Sequence, residues 1–155
     1  MTYLNEFFYI FVVKYAKLIK KSIPILENCS LVSEKEFPHA TVRIYSNGIF
    51  HAYFYSKGIL DMNLIHEIDL FNEENRGHAY RNLFEFEPLV EIDPEVRKWA
   101  SAPDGNKKTI ADAILINSLA HKLQANFYLK FNKPVKPTKL FNAREKAVVW
   151  LLKQK

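Results

Sequence analysis

TVRIYSNGIFHAYFY, residues 41–55, reads as two short strands joined at Asn47-Gly48. Thr41 to Tyr45 and Ile49 to Tyr55 are rich in β-branched and aromatic residues, and Asn-Gly suits a turn with two positive-φ positions, whose twist matches paired strands. Strand alternation puts Val42 and Ile44 on one face, and Phe50, Ala52 and Phe54 opposite Ile49, His51, Tyr53 and Tyr55. Both faces of the second strand are largely apolar, which predicts a place inside a sheet.

Beyond the hairpin, helix and strand signals alternate. Asp61 can cap a helix carrying Leu64, Ile65, Ile68 and Phe71 at helical spacing, ending near Gly77. Leu83 to Glu87 reads as a third strand, stopped by Pro88. Asp93-Pro94 is an N-cap followed by a first-turn proline, opening a helix through Val96, Trp99 and Ala100. Ile110 to Ile116 is short and apolar, as a buried parallel strand should be. Asn117 or Ser118 opens a helix expected to bury Leu119, Ala120, Leu123 and Phe127, and Thr138 to Phe141 forms the last strand. Asn142 with Glu145 reads as the capping box of a final helix that buries Ala147, Val148 and Leu151. The expected fold is α/β, in the order ββαβαβαβα. Helical crossovers require parallel pairing, so the expected sheet is mixed, with four or five strands covered by helices.

The 155 residues, 48% hydrophobic and 14% aromatic, suffice for one core. Cys29 is the single cysteine; it excludes an intrachain disulfide and favours a reducing compartment, although a secreted protein without disulfides fits the count equally, and the expectation is a cytoplasmic protein with an inert thiol there. Residues 1–30 form a separate region, read as an amphipathic helical extension. Phe7 to Val13 is apolar, but Lys14, Lys17, Lys20 and Lys21 follow too soon for a membrane span of roughly 20 residues. Charge following the apolar run, rather than preceding it, also argues against a secretory signal. Read as a helix, Leu4, Phe8, Phe11, Tyr15 and Leu18 share one side. Such a stripe is expected to pack against the domain or against the same helix of a second copy. A membrane surface and an extension outside the fold are the lesser alternatives.

Charge is uneven along the domain. Residues 22–120 carry nine basic and fifteen acidic side chains, whereas from His121 onward eight lysines and Arg144 face Glu145 alone. Lys130, Lys133, Lys136 and Lys139 recur every third residue around Pro134 and Pro137, the period of a polyproline helix, and could offer one edge to an anionic partner. Nucleic acid is not the expected partner, because no reader motif and no aromatic groove accompany the lysines; Phe131 and Phe141 read as core.

Catalytic and metal motifs are missing from the sequence. There is no glycine-rich phosphate loop, no nucleophile elbow and no pair of histidines at ligand spacing, so no catalytic residue, cofactor or metal is assigned. His51, on a strand, reads as a packed, hydrogen-bonded residue. Glu85, Glu87, Glu91 and Asp93 cluster at the end of the third strand, and Asn117 and Ser118 follow the fourth. The carboxyl ends of strands in open α/β sheets favour ligands, which makes Glu91, Asp93, Asn117 and Ser118 candidate binding residues. Asp93, Asn117 and Asn142 also suit plain helix capping.

The element order, together with Phe37-Pro38-His39-Ala40-Thr41-Val42, Ala111-Asp112-Ala113-Ile114-Leu115, and Asn132-Lys133-Pro134 through Pro137-Thr138-Lys139-Leu140-Phe141, resembles the SpoIIAA-like or STAS class of bacterial domains over residues 37–154. The resemblance implies a SpoIIAA-like domain over residues 37–155 and a non-enzymatic regulatory module that binds an unidentified protein. Family members that switch by phosphorylation do so on a serine opening the helix after the third strand. Here that place resembles Ile92-Asp93-Pro94-Glu95, without the serine, and Ser101 lies about two turns on. The alternative reading is a carrier of a small lipid or nucleotide.

Overall fold

The structure, a computed structural model, describes residues 29–75 and 80–155. The expected N-terminal helix and its apolar stripe fall outside the described residues. The first element among the described residues is a strand absent from the sequence reading, β1 (Leu31–Phe37). Phe37 alone among its residues is buried, so it lacks the apolar alternation that betrays a strand. It pairs antiparallel with β2 (Ala40–Tyr45), which pairs antiparallel with β3 (Ile49–Phe54). The hairpin turn differs from expectation in one detail. Gly48 alone takes positive φ, at 79°, and its N–H donates to the Tyr45 carbonyl at 3.0 Å, while the Asn47 side-chain oxygen accepts from Ile49 N. The turn is thus closed by a glycine bulge, which needs one left-handed residue rather than two.

Next come β4 (Ile59–Leu60) and α1 (Met62–Asn75), the latter started by Asp61, whose Oδ1 accepts from Leu64 N at 2.9 Å. Strands β5 (Tyr80–Phe86) and β6 (Glu91–Ile92) lead to α2 (Pro94–Ser101), capped by Asp93. A 3-10 turn at Asp104–Asn106 precedes β7 (Thr109–Leu115). Helix α3 (Leu119–Phe127) is capped by Ser118 and runs into a π-helical turn, Tyr128–Asn132. The chain ends with β8 (Thr138–Phe141) and α4 (Arg144–Leu152).

The main sheet has six strands in the order β1-β2-β3-β5-β7-β8, and β4 and β6 form a small parallel ladder beside it. β3, β5, β7 and β8 are mutually parallel, as the helical crossovers require. The expected four or five strands thus become six, with β1 as the addition. Because the order increases steadily across the sheet, crossovers of one hand bring their helices to one face. Residues of α1, α2 and α3 do share a face with Phe50, Phe54, Asn82, Phe84 and Asp112. Helix α4 covers the other face, where Ile49, Leu83, Ala111 and Ala113 pack against Ala147, Val148 and Leu151.

Four expectations near the C-terminus fail. Leu119, Leu123 and Phe127 are 73%, 63% and 52% exposed, Ala120 is exposed, and Ala125 alone of α3 is buried. Helical spacing shows that residues share a side, but here that side overhangs a hollow instead of the sheet. Asn142 does not cap α4, which has Ala143 in the capping position and no side-chain cap. The polyproline run does not extend over all four lysines either: Lys130 sits in the π-helical turn and Lys133 is left-handed at φ 48°. A polyproline helix requires φ near −75° throughout. Phe131, expected in the core, is exposed, whereas Phe141 packs at the edge of the α4 core.

Candidate functional site

Between the crossover helices and the sheet lies a cavity of about 720 Å³, within the range of small-molecule sites. Its walls are mostly aromatic and aliphatic: Phe50, Phe54, Phe84 and Phe86 from the strands, Ile65 and Ile68 from α1, Val96 and Trp99 from α2, Tyr128 from the π-helical turn. Glu91, Leu123, Gln124 and Phe127 line it while themselves exposed, which locates its mouth under α3 and beside the β4–β6 ladder. Trp99 is held in place by the following turn. A Cβ on Gly105 would come within 2.3 Å of the Trp99 carbonyl oxygen, a separation no side chain tolerates.

Few polar groups enter this apolar space. Asp112, 5% exposed, projects from the middle of β7 on the cavity face, and its Oδ1 accepts from Asn82 Nδ2 at 2.8 Å. Asn82 is its register partner on β5, which fixes the approach. Burial raises the Asp112 carboxyl to about 6, and the Asn82 hydrogen bond offsets only part of that. Burial, and then the neighbouring Asp112 charge, push the Tyr128 hydroxyl upward as well. Two further lining residues each carry a buried atom without a hydrogen-bond partner among the described residues, Asn72 Oδ1 and His121 Nδ1. Buried polar atoms rarely go unpaired, and each one facing a cavity is a place for a ligand or water.

A second polar cluster occupies the opposite face. Glu85 on β5 receives Arg144 Nε and an Nη at 2.5 and 2.6 Å, and His51 Nε2 lies 2.9 Å from Glu85 Oε1. Burial alone would raise the Glu85 carboxyl, but His51 and Arg144 outweigh it and bring it to about 2. This closed ion pair joins the start of α4 to the sheet. Arg144, the first residue of α4, thereby anchors an end that has no side-chain cap.

The residues singled out from sequence are mostly engaged locally. Asp93 Oδ1 accepts from Glu95 N at 3.3 Å, and Ser118 Oγ accepts from His121 N at 3.1 Å. Asn117 Nδ2 donates to the Phe86 carbonyl at 2.8 Å, tying the end of β7 to β5. Glu91 is the one of the four that reaches the cavity. Asp112 was missed, although a lone carboxylate inside the apolar run Ala111 to Leu115 is the kind of residue that is buried only at a cost. Lys130 and Lys139 lie over the rings of Phe131 and Phe141, at 5.4 and 5.5 Å from the ring centroids. Among the described residues no group of histidine, cysteine and acidic side chains could hold a metal ion, and no helix is long and apolar enough to cross a membrane.

Residues 42–155 match DUF7793, a domain of unknown function, and the chain belongs to that family. Comparison with curated proteins and with solved structures yields no match. The family match begins within β2 and takes in the whole cavity, leaving β1 outside.

Proposed function

We propose that this chain is a SpoIIAA-like domain that binds a small, largely apolar ligand and performs no chemistry on it. The observation that carries the reading is the cavity of about 720 Å³, apolar in its walls and with Asp112 buried inside it. The scaffold part rests on the succession β2, β3, α1, β5, α2, β7, α3, β8, α4, which reproduces the ββαβαβαβα order of that class once β1 and the small ladder are set aside. Keeping a carboxyl in an apolar wall costs stability, and such a cost persists where a site needs the group. The same proposal places the protein in the cytoplasm, in line with its single cysteine.

The test is a titration with N-phenyl-1-naphthylamine, a neutral apolar fluorophore. Saturable one-to-one binding is expected, with energy transfer from Trp99, and Ile114→Trp, which fills part of the cavity, should weaken it at least tenfold without lowering the melting temperature. Absence of saturable binding by the folded protein, or indifference to Ile114→Trp, would overturn the reading.

A second reading, a regulatory module that binds another protein, is favoured by the exposed apolar stripe Leu119, Leu123, Phe127 and Phe131. The readings part on hydrogen exchange. A stripe that closes over a ligand gains protection in α3 when the fluorophore is added, and a docking face for protein does not.

A further inference from the structure

The buried carboxyl of the cavity has no positive partner among its described hydrogen bonds. Asp112 offers carboxylate oxygens, whose hydrogen bond among the described residues comes from Asn82, and Asn72 Oδ1, on a side chain 3% exposed, has no partner among them. Of the donors nearby, Asn82 Nδ2 is committed to Asp112 and Thr109, Arg97 gives one N–H to the Ile92 carbonyl, and the Tyr128 hydroxyl beside Asp112 carries no charge to neutralise it. Charge points the same way. Glu91 and Asp112 line the cavity, and Arg97 is the one permanent cation among the described lining residues. The aromatic walls complete the picture, since ring faces attract a cation, and more so when it is desolvated. An ammonium group has three donors and no acceptor, so it satisfies acceptor oxygens while leaving no lone pair of its own unpaired. An alcohol brings one donor and two lone pairs; a carboxylate brings no donor and a like charge.

We infer that the ligand of this cavity is an amine: an apolar, ring-sized body held between Phe50, Phe84 and Trp99, with its ammonium group seated on Asp112 and within the reach of Asn72. The inference rests on the small-ligand reading above and specifies the chemical class. A charge pair formed in a dry cavity is stronger than one at the surface, and it also relieves the burial cost that the empty site imposes on Asp112.

Three probes of one shape decide it: 2-(2-naphthyl)ethylamine, 2-(2-naphthyl)ethanol and 3-(2-naphthyl)propanoate, each titrated calorimetrically at pH 7.5 into the full chain and into Asp112→Asn. The amine is expected to bind at least tenfold more tightly than the alcohol, with the carboxylate weakest, and the preference for the amine should shrink to within threefold in Asp112→Asn. The carboxamide keeps the Asn82 hydrogen bond, so that variant is expected to fold, and its melting curve checks this. Equal or tighter binding of the alcohol or the carboxylate overturns the amine inference and leaves the small-ligand reading standing. An amine preference that survives Asp112→Asn overturns the seat on Asp112. Failure of all three probes to bind overturns both.

Discussion

The two faces of the sheet carry buried carboxyls on adjacent strands, and their fates are opposite. Glu85 faces α4 and is closed by Arg144 and His51, and those partners draw its carboxyl down to about 2 despite burial. Asp112 faces the cavity with the Asn82 amide as its described hydrogen-bond donor and no cation beside it, and burial lifts it to about 6. The surroundings match. Beneath α4 the contacts are made by small and medium side chains that let helix and strands approach closely, and Ile49, Leu83, Ala111, Ala113, Ala147, Val148 and Leu151 are all fully buried. Beneath α1 to α3 the sheet presents large aromatic rings, α3 contributes one buried alanine, and a hollow remains. A carboxylate paired with a cation on a packed face belongs to the frame; a buried carboxyl with no cation beside it in a hollow belongs to a site.

The packed face should yield the largest penalty. Leu151→Ala removes a side chain with no exposed surface and is expected to cost about 2–5 kcal/mol in urea denaturation. A cost under about 1 kcal/mol would mean that the α4 face is as loose as the other, and the contrast would dissolve.

The two carboxyls should move stability in opposite directions with pH. The Glu85 value is lowered on folding, so its contribution is present above the unfolded value of 4.5 and is lost as pH falls toward 2; at about 1.4 kcal/mol per unit this is at most about 3.5 kcal/mol, and partial solvent access reduces it. The Asp112 value is raised from 3.8, so its contribution is favourable below that value and is lost as pH rises through 6. Asp112→Asn should therefore stabilise the empty protein at pH 7.5, by up to about 3 kcal/mol, with the gain fading by pH 4. Glu85→Gln should do the reverse, losing stability at pH 7.5 with the difference fading only at strongly acid pH. Denaturation midpoints for both variants across pH check the signs; an Asp112→Asn that destabilises at pH 7.5 would make that carboxylate part of the frame.

The legible parts of the fold were those written locally. Asp61 and Asp93 stand at helix starts as capping predicts, and the hairpin and the parallel strands followed from residue type and from helices between strands. β1 was hidden because an edge strand with one buried residue has no pattern to read. The α3 stripe was found but misplaced, since periodicity reports a shared side and says nothing of what lies beneath it. The site was the least legible. Asn82 reaches Asp112 across 30 positions of sequence and Arg144 reaches Glu85 across 59, contacts that only strand register and crossover packing create.

The most direct test of the contrast is methyl NMR on isoleucine-labelled protein titrated with N-phenyl-1-naphthylamine. Ile65, Ile68, Ile92 and Ile114 line the cavity, and Ile49 lies in the core beneath α4. The expected result is saturable shifts of the first four methyl signals at one equivalent, with Ile49 unmoved. Shifts spread equally over both faces, or no shifts among the cavity methyls, would contradict the assignment of one face to the frame and the other to a ligand.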